Sequence, residues 1–256
     1  MSATGQARLA ARQIVRVYGQ RTVVDHVDLE AEAGRITVII GPNGAGKTTL
    51  FNALAGAEIP DSGQVLLNGR DVTRLDSDDL ARLGVARTFQ QSTVFSSLTV
   101  AENLRVGAEN RARDGMVRGL VGLPDRTRFT SRAKVEDVLT ELGLRPLRDV
   151  QAASLPTGTL RMVELGRALC TRPNVLLLDE PASGLDDAET EELHQLLHRL
   201  ADRGLALLLV EHDLDLVREA ADVVYVMAAG AILASGRPEE VIRRADVRSV
   251  ALGIPT

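Results

Sequence analysis

A glycine-rich segment, GPNGAGKTT at residues 41–49, carries the strongest chemical signal in the sequence. Its three glycines allow backbone N–H groups to curl around phosphate oxygens. The side chain of Lys47 can reach the β and γ phosphates of a nucleotide, and the hydroxyl of Thr48 can bind Mg²⁺. An apolar run precedes the segment and a helical pattern follows it, which points the positive end of the helix at the same anion. The segment predicts a nucleoside-triphosphate site, a feature that kinases, GTPases and motor ATPases share.

Two acids and one histidine follow apolar runs elsewhere in the chain. Asp179 and Glu180 end the run VLLLDE, and His212 comes just after LLLVE. Asp179 can hold Mg²⁺ through water, whereas Glu180 projects differently and can polarise an attacking water. An imidazole at position 212 can contact a γ-phosphate and orient that water. Acids and single histidines also occur at strand ends without a function. Because the same chain contains a phosphate loop, we favour a functional role for these three residues.

The elements that position these residues follow an α/β pattern. Continuous apolar runs at 36–40, 175–179 and 205–210 predict strands covered on both faces of a parallel sheet. Helices are predicted between them. One covers 48–56 and ends at Gly56, and another has a leucine stripe at 193, 196, 197 and 200 and is closed by Gly204. The order of strand and helix predicts an α/β core.

Two further regions complete the predicted fold. Residues 23–32 and 64–69 have the pattern of strands in an antiparallel layer. Between 91 and 165 the patterns are helical, with a capping box at Thr99 and Glu102 and an apolar stripe at 135, 138, 139 and 142. We expect a single domain over 1–256. Residues 1–90 and 166–256 form its α/β nucleotide-binding core, and 91–165 form an inserted helical subdomain.

Composition limits the remaining possibilities. The net charge of −5 argues against a dedicated nucleic-acid binder, and 45% hydrophobic residues suffice for a large core. Cys170 is the single cysteine, and no run of 18 apolar residues or signal-peptide pattern is present. His194 and His198 have a spacing that can bind zinc, but without a third ligand nearby in sequence we expect two solvated histidines.

In the order of its motifs, the chain resembles the ATP-binding subunits of ABC transporters over about residues 8–245. GPNGAGKTT is similar to the Walker A loop, VLLLDEP to Walker B, and SGLD at 183–186 to the D-loop. His212 matches the switch histidine. The resemblance also implies that Tyr18 stacks on adenine and that Gln90 is the Q-loop glutamine, with Gln91 as the alternative. It predicts a P-loop (RecA-like) parallel-sheet core with an N-terminal antiparallel β layer and an inserted helical subdomain.

From this resemblance we expect an ATPase that uses ATP and Mg²⁺. Glu180 and His212 are the expected catalytic residues, and the expected Mg²⁺ ligands are Thr48, Gln90 and Asp179. The expected nucleotide contacts are Tyr18, Gly41, Pro42, Asn43, Gly44, Ala45, Gly46, Lys47, Thr48, Thr49, Gln90, Thr157, Gly158 and Asp186.

The resemblance is narrower at several segments, including VARTFQQSTVFSSLTVAENL and VEHDLDLV, which look like branched-chain amino acid, amide or urea importers. Such ATPases act at the cytoplasmic face of the inner membrane with two polytopic permease subunits, a second ATPase subunit (the same chain or a related one) and, indirectly, an external solute-binding protein. Alternatives are an ATPase of a lipopolysaccharide-type exporter and a soluble single-cassette ABC ATPase in an assembly process. No nucleic-acid partner is expected.

The segment LPTGTLRMVELGRAL at 155–169 resembles the family's signature motif, which reads L-S-G-G-Q. Pro156, Thr157 and Thr159 depart from it, while Leu155 and Gly158 match. Pro156 has neither a hydroxyl nor an N–H to offer a phosphate. The N–H groups and hydroxyls at 157–159 and the start of the following helix remain for a contact with ATP held by a partner chain.

An arginine-rich stretch at 105–132 carries seven arginines against three acids. We weigh two interpretations equally. One is a contact with acidic groups of a membrane subunit or with anionic lipid, and the other is an exposed charged loop.

Overall fold

The structure, a computed structural model, describes residues 7–88, 94–110, 126–212 and 214–251. The strands are β1 (Ala7–Tyr18), β2 (Arg21–Glu32), β3 (Ile36–Ile40), β4 (Ser62–Leu67), β5 (Arg70–Asp71), β6 (Val85–Arg87), β7 (Val175–Asp179), β8 (Ala206–Val210), β9 (Val223–Ala228) and β10 (Ala231–Gly236). The helices are α1 (Lys47–Leu54), α2 (Ser77–Arg82), α3 (Val100–Asn110), α4 (Arg126–Glu141), α5 (Thr157–Cys170), α6 (Asp187–Asp202), α7 (Leu214–Ala220) and α8 (Pro238–Ile242). Gln90, Gln91 and most of the arginine-rich stretch lie outside the described residues.

A six-stranded sheet in the order β10-β9-β3-β8-β7-β6 forms the centre of the core, with its strands parallel except at the β10 edge. All five residues of β3, β7 and β8 are buried. Successive residues of β3 pack on opposite faces of the sheet. Val38 packs with the helices on one face, and Ile39 packs with the second sheet and α1 on the other. Burial on both faces explains the continuous apolar runs and confirms the predicted parallel sheet.

The second sheet is antiparallel, in the order β2-β1-β4-β5. Its buried face packs over α1, where Phe51 is fully buried. The helix α1 ends at Leu54, and Gly56 then takes a positive φ of 68°, in agreement with the predicted glycine stop. Strand β1 was not predicted, because irregularities in its pairing with β2 interrupt the regular alternation of apolar and polar residues.

Helices α3, α4 and α5 pack on one another at the opposite side of the parallel sheet. The predicted capping box is present, since Thr99 Oγ1 accepts from the Glu102 N–H at 3.3 Å and the Glu102 carboxylate accepts from the Thr99 N–H at 2.8 Å. The predicted boundary at 165/166 falls inside α5, a single helix, and the subdivision into core and helical subdomain stays an interpretation. None of the helices in the described ranges is long and apolar enough to cross a membrane.

The expectation of two solvated histidines on α6 is wrong for one of them. His198 is exposed, but His194 is only 6% exposed. The leucine stripe predicts a buried face of α6 that includes only the leucines. Helix α7 packs beside α6, and the buried face therefore extends to His194, which lies next to the stripe. Because this contact joins residues about 20 positions apart, the apolar periodicity of α6 alone does not predict that His194 is buried.

Candidate nucleotide site

The loop between β3 and α1 is shaped by close backbone approaches. Gly41 has a φ of 151° and Gly46 a φ of 100°, and a Cβ atom on them would lie 2.2 Å from the carbonyl oxygen of Met227 and 2.4 Å from that of Val23, respectively. Only glycine fits at these two positions. Pro42, Asn43, Gly44 and Thr48 are exposed, Gly41 and Thr49 are half-buried, and Ala45, Gly46 and Lys47 are buried. The loop therefore presents its outer residues to solvent on a rigidly packed base.

The Lys47 side chain turns back over this loop. Its Nζ atom donates to the carbonyl oxygens of Gly41 at 2.7 Å and Pro42 at 3.1 Å. Burial lowers the pKa of Lys47, and the charges of Glu180 and Asp179 oppose that change. Lys47 is therefore close enough to both acids to be affected by their charges. The phosphate loop and the end of β7 lie together in the fold, as the sequence predicted.

Asp179 is the last residue of β7 and is 3% exposed. Its Oδ2 atom lies 3.5 Å from Nη2 of Arg87, at the end of the neighbouring strand β6. Burial raises the pKa of Asp179, and the Arg87 guanidinium offsets part of that rise. Arg87 also lies over the ring of Phe51, with Cζ 5.0 Å from the ring centroid. A carboxylate at a strand end is a suitable oxygen ligand for a hard divalent cation.

Glu180 and His212 are brought into direct contact. Oε1 of Glu180 lies 2.5 Å from Nε2 of His212, although the two are 32 residues apart. The backbone of Glu180 has a φ of 49°, a conformation that is uncommon for residues other than glycine. Its N–H donates to the carbonyl of Val210 at 2.9 Å, which fixes this turn to the end of β8. The carboxylate and the imidazole are arranged to share or transfer a proton.

Glu211, between β8 and His212, is buried and holds the adjacent loops in place. Its carboxylate accepts from the N–H of Ala182 at 3.1 Å and from that of His212 at 3.1 Å. Burial raises the pKa of Glu211, while these two N–H donors act in the opposite direction. Its role was not predicted from the sequence. A charged residue between an apolar strand and a candidate histidine was the available signal.

A chain of polar contacts links Tyr18 to Asp179. The Tyr18 hydroxyl donates to Glu58 Oε2, Asn52 Nδ2 donates to Glu58 Oε1 at 2.9 Å, and Arg87 Nη1 donates to Asn52 Oδ1 at 2.8 Å. The ion pair of Arg87 with Asp179 completes the chain. Tyr18 lowers the pKa of Glu58 through its hydrogen bond. None of the intermediate residues was predicted from sequence, because each contact joins separate elements.

The Tyr18 ring itself is 44% exposed at the end of β1. The guanidinium of Arg16 lies over the ring, with Cζ 4.9 Å from the centroid. An exposed aromatic ring beside the phosphate-loop helix is suited to stacking with a planar base.

The segment at 155–169 is a short approach to a helix, as predicted, and residues 157–169 make up all of α5 except Cys170. Pro156 occupies the N-cap position and makes no side-chain capping bond, and exposed Thr157 begins the helix. Gly158 is buried, and a Cβ atom there would lie 2.1 Å from Oε1 of Glu189. Glu189 forms a capping box with Asp186, whose side chain accepts from the Glu189 N–H at 2.8 Å. The signature-like and D-loop-like segments therefore meet through Glu189.

Comparisons with known proteins agree with this geometry. A family profile described as "ABC transporter" matches residues 24–183. The high-affinity branched-chain amino acid transport ATP-binding proteins LivG of Salmonella typhimurium and BraF of Pseudomonas aeruginosa are 39% and 37% identical, covering 97% and 92% of this chain and 98% and 94% of their own. The lipopolysaccharide export system ATP-binding protein LptB of Haemophilus influenzae is 34% identical and covers 96% of this chain and 97% of its own.

Solved structures show the same fold. A nucleotide-free ATP-binding cassette from an ABC transporter superposes with a TM-score of 0.82 at 32% identity, covering 97% of this chain and 96% of that one. An ABC transporter cassette in its ADP conformation also gives a TM-score of 0.82, at 31% identity, covering 95% and 97%. On its sequence match, its fold and the arrangement of its loops, the chain belongs to the ABC transporter family and is one of its ATP-hydrolysing cassettes.

Proposed function

We propose that this chain is the ATPase subunit of an importer for branched-chain amino acids or related small amides. The observation that carries the hydrolytic part is the 2.5 Å contact between Glu180 and His212 beside the lysine of the phosphate loop. The transported solute is proposed from the two branched-chain amino acid relatives, which are more similar to this chain than the lipopolysaccharide-export relative is. That export function is the second candidate.

In this proposal, the loop at 41–49 binds the phosphates through its backbone N–H groups. Lys47 leaves the loop carbonyls and donates to the β and γ phosphates. Tyr18 stacks on the adenine ring, and Asp179 with Thr48 supplies oxygen ligands for Mg²⁺. This oxygen donor set fits the ion, which when bound neutralises charge on the phosphate oxygens. Gln90 is proposed as a further ligand on the resemblance alone.

Glu180 is the proposed base that polarises the attacking water. His212 is proposed to donate to the γ-phosphate through the nitrogen that now faces Glu180. Binding of ATP therefore competes with the Glu180–His212 contact and leaves the carboxylate available to the water. Asp186, Thr157 and Gly158 are proposed to face the nucleotide of a second ATPase subunit, with the N–H groups at the start of α5 directed at its phosphate.

The signature-like segment is proposed to hold the partner's ATP weakly. Pro156 offers no donor, and Gly158 is covered by Glu189. A related ATPase with a fuller signature would then complete the pair. If the purified chain alone forms a homodimer that hydrolyses ATP at full rate, this idea is wrong.

The proposed partners also include two polytopic permease subunits, at the cytoplasmic face of the inner membrane. A cleft of about 490 Å³ between α2, β6, α3 and α5 offers a place for a permease segment. Its lining is mainly apolar and includes Phe95, Val106 and Ala168. Co-purification with a polytopic membrane protein supports this assignment, whereas a stable complex with soluble proteins alone contradicts it.

The hydrolytic role is tested with Glu180→Gln, which keeps the shape of the side chain but removes the base. With the second ATPase subunit present, we expect ATP turnover to fall by at least about a hundredfold and the ATP-bound pair of subunits to accumulate on gel filtration. Glu240→Gln, on the surface of α8, is the matched control and keeps full turnover. Unchanged turnover in Glu180→Gln refutes the proposed base.

The solute is tested by transport in cells. Cells that lack the chain are expected to lose ATP-dependent uptake of radiolabelled leucine, isoleucine and valine, and the Glu180→Gln chain does not restore it. Normal uptake together with defective lipopolysaccharide export would instead assign the exporter function.

A further inference from the structure

The buried His194 forms the centre of a cluster outside the nucleotide site. Both of its ring nitrogens are buried, and neither has a hydrogen-bond partner among the described residues. The imidazole is 6% exposed. A neutral imidazole has one donor and one acceptor, and buried polar atoms are nearly always satisfied. The local packing of α6 and α7 therefore leaves an imidazole nitrogen in need of a ligand.

Two carboxylates face Nδ1 of this histidine. Oε2 of Glu219, on α7, lies 3.3 Å away, and Oε2 of Glu191, one turn earlier on α6, lies 3.8 Å away. The three ligand atoms all lie within 4.8 Å of one another. Nδ1 makes no hydrogen bond to either acid. In a tetrahedral metal site with bonds of about 2.0–2.1 Å, neighbouring ligand atoms lie about 3.3 Å apart and their lone pairs point at the ion instead of at each other.

A neighbouring side chain orients one of the two carboxylates toward His194. Gln195 Nε2 donates to the other carboxylate oxygen of Glu191 at 2.9 Å, which leaves Oε2 directed toward His194. Hydrogen bonds of this kind orient metal-binding carboxylates. The Glu191 and Glu219 side chains are 58% and 63% exposed, so both can adjust to an ion and water can complete its coordination.

We propose that Glu191, His194 and Glu219 form a site for a divalent cation of the zinc class. One imidazole nitrogen with two carboxylate oxygens suits Zn²⁺ and its neighbours in the transition series, whereas Mg²⁺ and Ca²⁺ prefer ligand sets made only of oxygen. The site uses none of the residues proposed for ATP. Its ion joins α6, which begins after the D-loop-like segment, to α7, which follows the loop of His212, and so cross-links the two loops that carry Asp186 and His212.

The test is a Zn²⁺ titration of the nucleotide-free full chain by calorimetry, with millimolar Mg²⁺ present. We expect one zinc site whose affinity falls at least about tenfold in Glu191→Gln and in Glu219→Gln. Glu192→Gln, the adjacent exposed acid on α6, and His26→Asn, an exposed histidine on β2, are the matched controls and retain it. Equal zinc affinity in all five proteins overturns the proposal, as does displacement of zinc by Mg²⁺.

Direct coordination is read from the ring nitrogens of histidine labelled with ¹⁵N. Zinc is expected to shift the Nδ1 resonance of His194 in the wild-type chain and in Glu192→Gln, without shifting it in Glu219→Gln. The glutamine variants change only exposed carboxylates, so circular dichroism and thermal unfolding are expected to match the wild type without zinc. A shift confined to His26, His198 or His212 places the ion elsewhere and refutes the site.

Discussion

Removal of Arg87 tests the electrostatics at the end of β7. Nη2 of Arg87 lies 3.5 Å from Oδ2 of Asp179, and the two side chains are 13% and 4% exposed. At this distance and an effective dielectric constant of about 20, the attraction is about 4–5 kcal/mol. Loss of Arg87 also removes the cost of burying its own charge. We therefore expect Arg87→Met to lower the free energy of unfolding by about 2–3 kcal/mol at pH 7.5, measured by urea titration.

The loss is expected to depend on pH. The pKa of Asp179 is raised in the folded state, so its protonated form is the better tolerated one. The stability that this group contributes is full below its unfolded pKa and is lost as the pH rises through the folded pKa. Without Arg87 the folded pKa rises further. The difference between Arg87→Met and the wild type is therefore largest at neutral pH and shrinks on acidification, where a neutral Asp179 needs no cation.

A double-mutant cycle isolates the pair. Arg87→Met is expected to cost at least about 1.5 kcal/mol less in an Asp179→Asn background than in the wild type. Arg148→Met is the matched control, because Arg148 pairs with Glu136 at 2.7 Å with both side chains about one-third exposed. Such exposed pairs contribute about 0–1 kcal/mol. A coupling energy near zero, or a loss that does not shrink as the pH is lowered from 7.5, would refute the reasoning.

Three further predictions concern other parts of the fold. Gly46→Ala places a Cβ atom 2.4 Å from the Val23 carbonyl, so the loop must distort and ATP affinity is expected to fall at least about tenfold, as measured by fluorescent-nucleotide titration. Cys170 is buried, which raises the pKa of its thiol to about 12, so iodoacetamide is expected to label it only after unfolding in urea, and rapid native labelling detected by mass spectrometry would contradict this. Thr99→Ala removes the N-cap of α3 and is expected to cost about 1 kcal/mol in urea unfolding, with an unchanged midpoint as the contrary result.

The sequence predicted those parts of the fold whose signals are local. Strands 36–40 and 175–179 match β3 and β7 residue for residue, because each is a mainly apolar run that ends at polar or turn residues. The capping box at Thr99 is equally local, since a hydroxyl and a carboxylate three residues apart define it. The parallel sheet followed from the burial that such apolar runs require.

The unpredicted features depend on contacts between distant segments. Arg87 and Asp179 are 92 residues apart in the chain, and Glu211 accepts a hydrogen bond from Ala182, 29 residues before it. Periodicity in either partner gives no sign of such pairs. His194 illustrates the same limit, because it is buried where α7, a later element of the chain, packs against α6. The chemical identities in the phosphate loop and at 179–180 could be read from sequence, but the polar groups that hold them in place could not.

The backbone conformation of Glu180 lowers stability at the position of the proposed base. A φ of 49° costs a non-glycine residue about 1 kcal/mol or more, whereas glycine adopts it freely. A chain selected only for thermal stability would therefore tend to place glycine at 180 and lose the carboxylate beside His212. Consensus or stability-guided redesign of this cassette would need to keep residue 180 fixed, because the most stabilising choice there also removes the proposed base.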